Sequence, residues 1–212
     1  LLLFKPQAPK PYARIPFPDS YRIGDTYSML VYDIKPDEFE YAFSFDGPYE
    51  PAKGLLFNEE NVLLDPYSRA VTGQRKWGEK PEGGKDFEYR ARVVKSSFDW
   101  GNIKQLEQPF EDLVIYEIHV RGYTKDKSSG VSAPGTFAGL KDKIPYLKDL
   151  GINAVELMPI FEFDEMESAR VVDGVQLYNY WGYNTVSFFA PNTSYAFNEE
   201  HNHEGDELKS LI

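Results

Sequence analysis

The residues best suited to chemistry lie in NYWGYNTVSFFAP, Asn179–Pro191. There Tyr180, Trp181, Tyr183, Phe188 and Phe189 place five rings among thirteen uncharged residues. An aromatic face is flat, apolar and negative at its centre, and Gly182 lets the backbone turn tightly between two rings. A buried strand would carry more aliphatic residues, and a linker fewer rings. Just upstream, Glu162, Asp164, Glu165 and Glu167 form an acidic run, read as a solvated loop with calcium as the alternative. His201, His203 and Glu204 spell HNHE in a polar stretch before a helix. Zinc needs three or four convergent ligands, so no metal is assigned there. His119 sits in an apolar strand and reads as a satisfied core histidine. Trp77 and Trp100 are the further candidates for exposed rings.

Bulk properties narrow the ligand. The chain has 212 residues and a formal net charge of -11, which repels the phosphates of nucleic acid and suits a neutral ligand. It contains no cysteine, which excludes disulfides and thiolate metal sites and fits a reducing compartment. No apolar run reaches the roughly 18 residues of a membrane span, and LLLF at the start lacks the flanks of a signal peptide. The chain opens at Leu1 rather than methionine. It closes in GDELKSLI, where Gly205 and Asp206 start a helix and Leu208, Leu211 and Ile212 begin its apolar stripe. It therefore reads as a piece of a longer protein.

Two textures divide the sequence. Residues 1–106 read as all-β: YSMLVYDI (Tyr27–Ile34) and EYAFSFDG (Glu40–Gly47) are strands joined by the turn KPDE. EYRARVV (Glu88–Val94) alternates charged and apolar residues as a half-buried strand does. Turn-rich intervals such as PFPDS, DGPYEPAKG and KPEGGKD suggest a sandwich. From residue 107 the pattern becomes α/β. Leu113–Val120 is an apolar strand, and Leu140, Ile144, Leu147 and Leu150 lie at helical spacing before Gly151 as the C-cap. Ile152–Met158 is a second apolar strand, closed by Pro159. A β–α–β unit of this kind requires parallel strands and a right-handed crossover.

Three of these segments together resemble the α-amylase superfamily of glycoside hydrolases, family 13. VIYEIHVRGYT is similar to its first barrel strand, GINAVELMPI to its second, and NYWGYNTVSFFAP to the loop that lines the sugar cleft. DEFEYAFSFDGPYEPAKGLLFNEENVLLDPYSRAVTG resembles the β-sandwich that precedes the barrel in debranching and branching enzymes. The form NYWGYN followed by FFAP is most similar to the glycogen-debranching or isoamylase branch. Pullulanases more often show YNWGYDP at this place.

The resemblance implies an N-terminal β-sandwich over 1–106, like carbohydrate-binding module 48 with an early-set immunoglobulin-like fold. It implies the first, incomplete part of a (β/α)8 TIM barrel over 107–212. It implies hydrolysis of α-1,6-glucosidic branch points in branched α-glucan such as glycogen, amylopectin or limit dextrin, with no cofactor, no nucleic acid and no membrane. Glycogen breakdown places the protein in the cytoplasm. Sugar rings present C–H groups on their faces and hydroxyls at their edges, so aromatic stacking holds them while leaving the hydroxyls free.

By resemblance Tyr183 stacks on the sugar whose bond is cut and Trp181 shapes the wall behind it. Asn184 either bonds a sugar hydroxyl or caps its own turn. His119 could reach the base of the cleft. Glu156, in the family's V-E-L-x-P phrase, is a structural carboxylate bonded to its neighbours. The family's catalytic carboxylates follow a D-V-V-x-N-H motif that this sequence does not contain. Residues 107–212 also fall well short of the roughly 250 of a complete barrel, so no catalytic residue is assigned in this span. The alternatives are a non-catalytic glucan-binding fragment, or a pullulanase, branching enzyme or maltooligosyltrehalose trehalohydrolase.

Overall fold

The computed structural model describes residues 1–79, 89–104, 106–198, 200 and 202–212. The turn KPEGGKD (80–86), Glu88, Gln105 and His201 lie outside the described residues, so the expectations placed on them are not taken further. The chain forms two compact units, Leu1–Thr72 with Pro81–Val94, and Gly73–Lys80 with Lys95–Ile212.

In the first unit, β1 (Leu2–Phe4), β2 (Ala13–Arg14), β5 (Glu40–Glu50) and β6 (Leu55–Leu63) form one antiparallel sheet in the order β2-β1-β5-β6. A short ribbon of β3 (Arg22–Ile23) and β4 (Thr26–Tyr27) stands separately. The sheet buries Leu2, Phe4 and Ala42 with Val62 packed against them. EYAFSFDG thus forms the strand its aromatic content predicts.

YSMLVYDI does not. Beyond Tyr27 no part of it is strand, and Leu30 and Tyr32 are 80% and 76% exposed. Asp33 takes φ of +58°, in the left-handed region, which interrupts an extended run. The EYRARVV expectation also changes. Among its described residues only Ala91 forms β-bridges, to Tyr41 and Val71. The arginines of the alternation point inward instead of outward. Arg90 pairs with Glu40 at 3.4 Å, both side chains almost wholly buried, and its guanidinium lies 4.3 Å from the centre of the Phe4 ring. A buried charge needs such a partner, because desolvation alone would expel it.

In the second unit, β7 (Ile115–Ile118) and β8 (Ala154–Leu157) pair in parallel, Ile115 opposite Ala154 through Ile118 opposite Leu157. The connection carries α1 (Val120–Thr124), α2 (Phe137–Lys141) and α3 (Ile144–Asp149). The single helix expected here is two, because Pro145 in the first turn of α3 has no N–H to continue the ladder. Gly151 closes α3 at φ +89°, with Gly151 N–H donating to Lys148 O at 3.0 Å and Ile152 N–H to Leu147 O at 2.9 Å. This is the left-handed cap expected of that glycine.

After β8 come β9 (Phe161–Phe163), the hairpin β10 (Arg170–Val172) with β11 (Val175–Leu177), and β12 (Thr185–Pro191), which pairs antiparallel with β9. α4 (His203–Leu211) then packs Leu208 and Leu211 against a core of Ile118, Val120, Phe137, Leu140, Leu147, Phe163 and Tyr195. The helix expected near Gly205 is present and begins two residues earlier. Among the described residues no helix is long and apolar enough to cross a membrane.

Candidate functional site

The site is built where β9 meets the loop leading into β12. Thr185 stands opposite Phe163 and Ser187 opposite Glu162, with irregularities between them that let both Glu162 and Phe163 turn inward. The aromatic loop Asn179–Asn184 runs into this pairing. Gly182 has φ of +77°, and a Cβ placed on it would come within 2.6 Å of two Phe163 ring carbons. Glycine is required there twice over, by backbone conformation and by the ring beneath it.

His119 holds the loop on one side. It caps α1, its Nδ1 accepting the Gly122 N–H at 2.9 Å. That fixes the proton on Nε2, which donates to Tyr180 O at 2.8 Å. The imidazole also stacks on the Tyr180 ring, centres 4.1 Å apart and planes 7° from parallel. Burial, reinforced by the Arg121 charge, pushes the His119 pKa down, opposed by the bond to Tyr180 O. The neutral tautomer is therefore the working one. The reading of His119 as a satisfied histidine agrees with these contacts, although it stands at the strand end rather than within it.

Behind His119 lies an aromatic box. Trp77 stacks on Tyr195 at 6.0 Å and 6°, and meets Phe163 and Tyr180 edge-on at 5.9 Å each. The Arg121 guanidinium sits 4.6 Å from the centre of the Trp77 ring. Trp77 was expected among exposed rings. It is instead packed against the core of the second unit, while Trp100 is exposed.

The acidic run is the largest departure from expectation. Glu162 and Glu165 are both 0% exposed, so the run is not a solvated loop. Glu162 accepts Thr193 N–H at 2.8 Å, and Glu165 accepts the Ser194 hydroxyl at 2.7 Å and the Asn192 amide at 3.3 Å. Burial raises the Glu162 pKa well above the carboxylate range, helped by the Glu165 charge. Burial likewise raises Glu165, to about 7, against the bonds from Ser194 and Asn192. Neither carboxyl reaches solvent, so neither can meet a substrate. Their role is to hold chain segments together.

Asp164 supports the same turn, its Oδ1 accepting Met166 N–H at 2.8 Å and the Gln74 amide. From this turn the main chain holds Asn179, whose N–H donates to Glu165 O at 2.9 Å. Partners distant in sequence, Gln74 and Asn192–Ser194, distinguish this buried turn from a solvated one, so no local signal announces it.

The loop presents what the frame holds. Trp181 and Tyr183 are 57% and 69% exposed, beside a core that buries Phe163 and Tyr195 completely. Among the described residues Asn184 makes no cap to its own turn, and its amide donates to the Glu167 carboxylate. The structure brings Trp181, Tyr183 and Asn184 together on one loop, where an uncharged ring could stack on either aromatic face. Glu156 is exposed, stands in register with Glu117, and makes none of the expected bonds among the described residues. In the HNHE stretch, His203 lies 3.8 Å from Glu207. Among the described residues no group of three or more potential ligands could hold a metal ion.

No family model matches the chain. Isoamylase 1, chloroplastic, of Arabidopsis thaliana is 39% identical over 92% of this chain and 26% of its own length. The glycogen debranching enzyme of Yersinia enterocolitica is 36% identical over 88% of this chain and 29% of its own. Among solved structures, pullulanase type I from Bacillus subtilis, complexed with maltose, superposes with a TM-score of 0.58 at 24% identity. It covers 84% of this chain and 23% of that one, a likeness of fold. The chain spans between a quarter and a third of the length of these two curated relatives. It is a homologue of the isoamylases and glycogen debranching enzymes, over a part of their length.

Proposed function

We propose that this chain is the N-terminal part of a glycoside hydrolase that cleaves α-1,6-glucosidic branch points in glycogen-like or starch-like glucan. The observation that carries the reading is the exposed pair Trp181 and Tyr183 on a loop fixed from below by Gly182, His119 and the acidic turn. A solvent-facing ring on a rigid backbone is the surface a neutral sugar face needs. The names of the two curated relatives supply the substrate class.

In this reading the first unit is the β-sandwich and β7, β8 and their connection open a (β/α)8 barrel. Exposed apolar positions on the two faces of that pair, such as Ile115 and Val155, are then covered by the rest of the barrel. The two carboxyl groups of a retaining mechanism, about 5 Å apart, come from those strands. Tyr183 stacks on the sugar at the scissile bond and Trp181 forms the adjoining wall. The protein acts on branched glucan in the cytoplasm and needs no cofactor.

The test is release of new reducing ends from glycogen. The full-length protein that carries this chain should release them, and residues 1–212 alone should not. Activity in the isolated 212 residues would place a catalytic pair within this span and contradict the reading.

A further inference from the structure

We infer that Glu167 is a positioning residue for the ligand-facing ring of Tyr183, acting through Asn184. This rests on the reading of Tyr183 as the stacking ring.

The loop from Asn179 to Asn184 is held at four points. Asn179 N–H donates to Glu165 O at 2.9 Å, and the Asn179 side chain donates to Asp164 O at 3.3 Å. Tyr180 O accepts from His119 at 2.8 Å. Gly182 rests on the Phe163 ring, which leaves no room for a Cβ. These three attachments precede Tyr183. The fourth follows it: the Asn184 amide donates to a Glu167 carboxylate oxygen. Thr185 then enters β12 opposite Phe163. Without the Glu167 bond, the segment between Gly182 and Thr185 loses its side-chain anchor on the far side of the ring.

The geometry of the acidic turn makes Glu167 a dependable anchor. Asp164 and Glu165 tie the turn to the interior, and Glu167 N–H donates back to Asp164 O at 3.2 Å. Ser168 takes φ of +60°, so the chain reverses directly after Glu167. The turn thus carries one exposed carboxylate from a buried base to the loop. That bond is charge-assisted but solvent-exposed, so it adds little to global stability. Its effect falls instead on where the ring stands, and small misplacements of a binding group are costly to ligand affinity.

The experiment measures maltotetraose binding by calorimetry and thermal stability in the full-length protein that carries this chain. Glu167→Ala should weaken binding roughly fivefold, the scale of one lost hydrogen bond, with an unchanged melting temperature. Glu167→Gln keeps an acceptor for the Asn184 amide and should bind like wild type. Asn184→Asp places two carboxylates together and should bind worse than Glu167→Ala. Combining Asn184→Asp with Glu167→Gln reverses donor and acceptor and should restore affinity. Tyr183→Ala serves as the reference. If Tyr183→Ala weakens binding and neither Glu167→Ala nor Asn184→Asp does, the positioning role is overturned while the stacking role stands. If Tyr183→Ala binds normally, the stacking role fails and the positioning role with it.

Discussion

Two neighbouring stretches of the second unit invert the usual rule of burial. The acidic turn Glu162–Glu165 places two carboxyls wholly inside, while the aromatic loop Trp181–Tyr183 leaves two large rings facing water. Burying a carboxyl costs free energy unless it is neutralised or bonded, and exposing rings forgoes burial. The same structure does both within a few residues of contact. The buried acids each bind groups of Asn192–Ser194 and so fix the turn whose carbonyls hold Asn179. Among the described residues the ring pairing of Trp181 is with Tyr180, edge-on at 5.8 Å, and Trp181 and Tyr183 remain more than half exposed. Acid here serves as framework, and in the function proposed above the rings are the ligand surface.

That contrast can be broken in several places. The largest effect is expected at Trp77, which stacks on Tyr195 behind the loop. Trp77→Ala should cost about 3–5 kcal/mol, the scale of a large ring removed from a packed core, read as a lower denaturant midpoint. An exposed glucan-binding tryptophan would show almost no loss.

Next comes the acid pair. The Glu165 pKa is raised from 4.5 to about 7, so the folded state holds a proton that the unfolded state releases. Its contribution to stability is fully present below pH 4.5 and is lost as pH rises toward about 7. Glu165→Gln retains the protonated shape and should flatten this fall in a pH series of denaturant melts. Glu162, whose pKa burial also raises, would leave part of the slope, so a slope unchanged by the substitution would remove Glu165 from the account.

A smaller effect is expected at Gly182. Gly182→Ala must adopt a positive φ and press on Phe163, costing about 1–3 kcal/mol in strain. Because the strain lies beneath the loop, maltotetraose affinity should fall alongside the melting temperature. Loss of stability with unchanged affinity would separate the frame from the surface it is taken to hold.

The division between what was legible in the sequence and what was not follows the range of the contacts. Gly151 as a cap, the parallel pairing of β7 with β8, and the turn at Gly182 are set by neighbours close in sequence or by strong periodicity, and each is present. The fate of the acidic run was hidden, because Glu162 and Glu165 find partners some thirty residues downstream in a segment that reads as an ordinary turn. Trp77 was misplaced for the same reason, its ring partners lying beyond residue 119 or at it. YSMLVYDI reads as a strand from its composition, yet beyond Tyr27 it pairs with no described strand, Leu30 and Tyr32 stand exposed, and Asp33 takes a positive φ that composition does not record. Of the site residues, Tyr183 reads as a ring facing the sugar and is exposed, Trp181 reads as the wall behind it and is exposed as well, and the partner of Asn184 is not foreseen.

The most direct test of the division between frame and surface is Tyr183→Ala in the full-length protein. Maltotetraose affinity and the melting temperature would be measured on the same preparation. The account predicts an affinity loss of about tenfold or more, equivalent to roughly 1.4 kcal/mol, with the melting temperature unchanged. A variant that melts earlier yet binds maltotetraose like wild type would contradict it, because Tyr183 would then belong to the frame.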